Sequence, residues 1–177
     1  MVFALAVRSG LRVYWTMAPK QLLTVEVGMI FFAAAALTAM NPLAFFTGTT
    51  HGVGTLRILF KGPQTIHVTS QGTPDGQGGI DLDQNVFEGG DLPKARHWNL
   101  HPTSSTTLAG TLTPDASGPV IGSISGQEMT LSYPLKGGMT AAQTLTLQPG
   151  GRVLLNHMTV KKLRLTVATI DERIVKD

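Results

Sequence analysis

Arg96 and Trp98 stand two residues apart in Lys94-Ala-Arg-His-Trp-Asn-Leu100, a stretch that reads as a strand. Side chains alternate along a strand, so Arg96, Trp98 and Leu100 share one face. If that face lines an interior, the guanidinium is buried and must be paired. A ligand carboxylate or phosphate would pair it with two parallel hydrogen bonds, as an anionic amphiphile offers. Asp115 or backbone carbonyls would serve equally well, with Arg96 packed over Trp98 at the closed end of a barrel. Met129, Leu131, Tyr133 and Leu135 share a face in the same way. The candidate ligand-binding set is Arg96, Trp98, Tyr133, Phe87 and Met129.

Other chemistry finds weaker footing. The histidines are His51, His67, His97, His101 and His157. Only His97 and His101 are four apart, and on a strand that places them about 13 Å apart, too far for one ion. A lone His51 is a poor haem ligand, and a surface or capping role suits it better. Asp81, Asp83 and Asn85 imitate the start of a calcium loop, but its sixth-position glycine and twelfth-position glutamate are missing. They read as a solvated strand face. No serine sits in a Gly-x-Ser-x-Gly elbow. Gly52-x-Gly54 precedes no helix and is not a nucleotide fingerprint. The sequence has no cysteine, so disulfides, thiolate metal sites and a thiol nucleophile are excluded. No catalytic residue, metal or cofactor is implied.

The elements that must position these residues are short strands. Thr55–Phe60 and Thr65–Ser70 read as the first two, with a flexible turn at residues 72–79. Ile80–Phe87 alternates, with Ile80, Leu82 and Val86 on one side and Asp81, Asp83 and Asn85 on the other. The chain then reverses at residues 88–93 into the Trp98 strand. Further strands follow near residues 107–113, 120–126, 128–135, 142–147, 153–160 and 163–170. Pro134 marks a bulge or a strand end. Gly118, Gly122 and Gly126 recur at an even spacing, which puts them on one face. Asp171–Asp177 reads as a terminal helical turn. About eight to ten strands with short connections predict an all-β, antiparallel up-and-down barrel, since closure removes exposed edges. A two-sheet sandwich fits the same pattern.

Two parts are expected. Residues 41–177 form the barrel domain, after Asn41-Pro42. Residues 1–40 carry Arg8, Arg12 and Lys20 and then the charge-free run Val27–Met40. Its 14 residues are short for a spanning helix. They suit the apolar helical core of a signal peptide, with a membrane anchor or a buried helix as alternatives. The net charge of +3 is mostly N-terminal. Residues 41–177 hold eleven basic and ten acidic side chains. So balanced a domain has no footprint for nucleic acid.

The domain resembles a family of uncharacterised bacterial lipocalin-like proteins, a domain of unknown function often found as an envelope lipoprotein. The shared pieces are Phe45-Phe46-x-Gly48, Gly52-x-Gly54, Leu82-Asp83, Phe87, Gly90 and Arg96-x-Trp98-x-Leu100. They continue through Asp115, the spaced glycines and Leu131-x-Tyr133 to Asn156 and Lys162. The family's lipid-anchoring cysteine is missing, and Leu131 and Arg164 stand where tryptophan and glycine are usual. The resemblance implies a lipocalin-like (calycin-like) barrel, exported to the periplasm or the cell envelope. The expected function is transport or sensing of an apolar or amphiphilic, lipid-like small molecule, with membrane association through residues 27–40. A barrel enzyme (an isomerase, cyclase or hydratase of an apolar substrate) and a filled structural barrel are the alternatives.

Overall fold

The computed structural model describes residues 41–177, so the expectations for residues 1–40 lie outside the described part. Leu43, Phe45 and Phe46 are buried around a 3-10 helix, Ala44–Phe46. Ten strands follow: β1 Gly48–Ile58, β2 Gln64–Pro74, β3 Ile80–Glu88, β4 Lys94–Pro102 and β5 Thr107–Thr113. The second half is β6 Val120–Ser125, β7 Glu128–Leu135, β8 Met139–Leu147, β9 Val153–Lys162 and β10 Leu165–Lys176.

Each strand pairs antiparallel with its sequence neighbours, and β1 pairs with β10 from Thr50↔Lys176 to Ile58↔Ala168. That last ladder closes the sheet and excludes the sandwich. The interior is the apolar phase of the strands: Leu82, Trp98, Leu100, Leu112, Met129, Leu131, Tyr133, Leu145 and Leu154 are all buried in one cluster. Polar residues such as Asp83, Asn85 and His97 face out. This is the reverse of a membrane-spanning barrel, which turns its apolar side chains outward.

The 3-10 helix sits at one end, where β1 begins and the turns at residues 75–79, 103–106, 126–127 and 148–152 lie. Phe46 reaches the interior from there. The other end carries the turns at residues 59–63, 89–93, 114–119, 136–138 and 163–164.

Several elements differ from the sequence reading. β1 starts at Gly48 rather than Thr55, with Gly52 and Gly54 as strand residues. β2 likewise runs on to Pro74. Asp171–Lys176 is strand rather than helix, since every residue of it is paired to β1. Pro134 is next to the end of β7, at a level where β6 has ceased to pair; its carbonyl accepts from Ser117 N instead. Of the spaced glycines only Gly122 is an inward strand position. Gly126 has φ +58° in the β6–β7 turn, and Gly118 precedes β6.

Candidate functional site

The interior encloses a cavity of about 70 Å³, room for roughly five waters at one probe sphere each. Its wall takes alternate residues from β1 to β4 and β7 to β10, as the pleat requires. Arg96, Trp98, Met129 and Tyr133 all line it. Trp98 meets Tyr133 edge to face, with ring centroids 5.5 Å apart and planes at 87°. Such pairs contribute about 0.5–1.5 kcal/mol beyond area burial.

Phe87 is not part of this wall. Val86 and Glu88 face the cavity, so alternation turns Phe87 to the outer surface, opposite His67 in the ladder. The same rule that placed Val86 inside excludes Phe87.

Arg96 Nε lies 2.5 Å from Asp115 Oδ2, a charge pair without the angle of a hydrogen bond. The side chains are 25% and 36% exposed, so the pair is half-buried rather than deep. The guanidinium thus has the internal partner that the sequence offered as an alternative to a ligand anion.

The wall also holds a chain of polar groups that the sequence reading missed. Tyr133 donates its hydroxyl to Gln143 Oε1 at 2.9 Å. Gln143 Nε2 donates to Asn156 Oδ1 at 3.4 Å, and Asn156 Nδ2 to Glu172 Oε2 at 3.0 Å. A second branch runs from Trp98 Nε1 to Gln84 Oε1 (2.7 Å) and from Gln84 Nε2 to Ser70 Oγ (3.1 Å). Gln143, Asn156 and Glu172 each interrupt an inward apolar series: Ala141-Gln143-Leu145, Leu154-Asn156-Met158 and Ile170-Glu172-Ile174. A polar residue in the apolar phase was the available signal.

Glu172 ends this chain, and its Oε1 is buried without a hydrogen-bond partner among the described residues. Burial pushes its carboxyl pKa up, against the opposing hydrogen bond from Asn156 and the field of Arg96. Burial likewise pushes the Tyr133 phenol well above its ordinary value, with Arg96 opposing and Asp115 adding to it. With its proton kept, Glu172 has Oε2 accepting from Asn156 and Oε1 free to donate.

The histidines lie on the outer wall or near its rim. His51 meets Asp177 (3.2 Å), His157 meets Asp171 (2.7 Å), and His97 sits between Asp83 (2.8 Å) and Asp81 (3.5 Å). Among the described residues no three His, Asp or Glu side chains are grouped to hold a metal ion.

No protein-family model matches this chain, and no curated protein matches it in sequence. Among solved structures it is similar to the S-type phycobiliprotein lyase CPES from Guillardia theta, with a TM-score of 0.60. The match covers 76% of this chain and 90% of that one, at 7% identity. The barrel is lipocalin-like. At that identity the likeness is one of fold, and function has to be argued from the site.

Proposed function

We propose that the barrel binds a small apolar or amphiphilic molecule in its interior. The observation that carries this reading is Glu172 Oε1, a buried polar atom with no protein partner in the wall of a cavity. Such an atom is costly to leave unpaired, and a polar group of a ligand would satisfy it. The rest of the ligand would lie against Met129, Leu131 and Met158. The cavity is small beside the 300–1,000 Å³ of common ligand sites. Rotation of the two methionines, the most adaptable apolar side chains, enlarges it. Arg96 stands at the half-exposed side and orients an anionic group if Asp115 swings away. We place this binding in the cell envelope, as transport or sensing, on the strength of the charge-free run Val27–Met40 and the envelope-family resemblance.

Two observations favour other readings. A carboxyl in a cavity wall whose pKa is raised by burial suits a general acid, and the similar fold belongs to a lyase. That supports an enzyme acting on an apolar substrate, with Glu172 as acid and Tyr133 beside it. The small volume supports a filled barrel with a structural role.

Titration with a fluorescent polyene fatty acid, read by the emission of the probe itself, tests the binding reading. Saturable one-to-one binding is expected, weakened about tenfold or more when Leu131→Trp fills the cavity. Absence of saturable binding, or binding indifferent to that substitution, would overturn it.

A further inference from the structure

We propose that the end of the barrel opposite the 3-10 helix docks on an anionic lipid surface. Three successive hairpin tips on that rim expose large apolar side chains: Leu163 and Leu165 at β9–β10, Leu59 and Phe60 at β1–β2, and Leu92 at β3–β4. Phe60 is 98% exposed, Leu163 88% and Leu92 87%. Among the described residues the other exposed large apolar side chains are on the outer wall, Val53 and Leu155 on either side of Arg173 and Ile121 by itself, and none is on a hairpin tip at the 3-10 end. Scattered apolar residues need no explanation, whereas a cluster on one rim does.

The backbone makes the same point independently. Phe60, Leu163 and Arg164 have φ of 63°, 48° and 70°, a region that glycine occupies without strain. Turn tips of this kind ordinarily take asparagine or glycine. Here bulky side chains are kept at a cost in conformation, as happens where the side chain is used.

The charges around these tips choose the occupant. Lys61, Lys136, Lys161, Lys162 and Arg164 have no carboxylate within 4 Å among the described residues. Of the acids on this rim, Glu88 is paired with Lys94 and Asp115 with Arg96; Asp91 alone is unpaired. The other end carries Arg152 and Lys176 together with Asp75, Glu128 and Asp177. Apolar tips on separate hairpins, ringed by long basic side chains, fit a bilayer interface: the tips enter the acyl boundary and the lysines meet anionic headgroups. Among the described residues no helix is long and apolar enough to cross a membrane. The contact inferred is peripheral, and it does not depend on what the cavity holds.

The chain lacks cysteine, so a single introduced thiol can be labelled uniquely. Full-length protein carrying Leu92→Cys, labelled with a polarity-sensitive fluorophore, is mixed with vesicles of phosphatidylcholine and phosphatidylglycerol. The emission shifts to the blue and is quenched by brominated acyl chains; the same label at Gln77→Cys, in the turn at the other end, is unaffected. Phe60→Ser with Leu163→Ser lowers partitioning about tenfold or more with an unchanged circular dichroism spectrum. Lys161→Glu with Lys162→Glu removes the preference over pure phosphatidylcholine. An unshifted label at 92, an equal shift at 77, or undiminished partitioning of the serine variant would overturn the proposal. The last two results would mean that another part of the chain holds it to the vesicle.

Discussion

Gly52 of β1 leaves the space that the Glu172 carboxyl of β10 occupies: a Cβ at position 52 would overlap Glu172 Oε1. Gly54, directly opposite Glu172 in the ladder, makes room for the base of the same side chain. Two glycines on the inner face of one strand thus cradle one buried acid. This pairing is the structural reason that a carboxyl fits in the wall of so narrow a barrel.

The two glycines should respond differently to alanine. At position 52 the obstacle is the far end of a flexible side chain, which can move. Gly52→Ala should change stability by no more than about 1 kcal/mol, the smaller unfolded-state entropy offsetting part of the clash. It should nonetheless displace the carboxyl and abolish its contact with Asn156. At position 54 the obstacle is the Asp171 backbone oxygen, 2.6 Å from the new Cβ. Gly54→Ala should cost about 1–3 kcal/mol. Denaturant midpoints of the two variants check the contrast.

Glu172 should leave a mark on the pH dependence of stability. Its folded pKa is raised above the ordinary 4.5, so the folded state holds this proton more tightly than the unfolded chain. Its contribution is fully present below about 4.5 and is lost as pH rises through the folded pKa. Glu172→Gln has no proton to lose. The variant should match the parent in acid and exceed it in stability above that window. Urea unfolding across the pH range measures the difference.

The indole of Trp98 depends on Gln84. Gln84→Leu removes the acceptor 2.7 Å from Trp98 Nε1 and leaves a buried N–H unpaired. A loss of about 1–3 kcal/mol is expected, with a changed Trp98 emission maximum when both proteins carry Trp15→Phe. Comparing it with Trp98→Phe separates the unpaired donor from simple loss of packing.

Met129 is fully buried at the cavity wall. Met129→Ala should cost about 2–5 kcal/mol and enlarge the cavity. If the interior accepts ligands, the enlarged cavity should also bind larger probes than the parent does. Thermal unfolding with and without fatty acids of increasing chain length reads both effects.

Alternation makes the inner phase of the strands legible in the sequence, while the choice of barrel over sandwich needs the β1–β10 ladder. It groups Trp98 with Arg96 and Leu100, Tyr133 with Met129 and Leu131, and Ile80 with Leu82 and Val86; that Trp98 and Tyr133 meet is visible only in the structure. Phe87, a candidate for the lining, stands out of that period and faces outward. The start of β1 is hard to see in sequence because the residue that Gly52 and Gly54 accommodate, Glu172, is 120 or so positions away. Glu172 itself fell in a segment read as helix, which hid its inward phase; only the long-range β1–β10 pairing makes it a strand. The rim of apolar tips was equally hidden. Phe60, Leu92 and Leu163 are unremarkable in sequence and become a cluster only when the hairpins are arranged in a ring.

Native mass spectrometry of the full chain purified from its own host tests most directly whether the interior is occupied. A second mass series is predicted, shifted by one small molecule and missing in a Met129→Trp variant that retains the fold. A single series at the bare chain mass in both proteins would contradict the binding account and leave a filled barrel in its place.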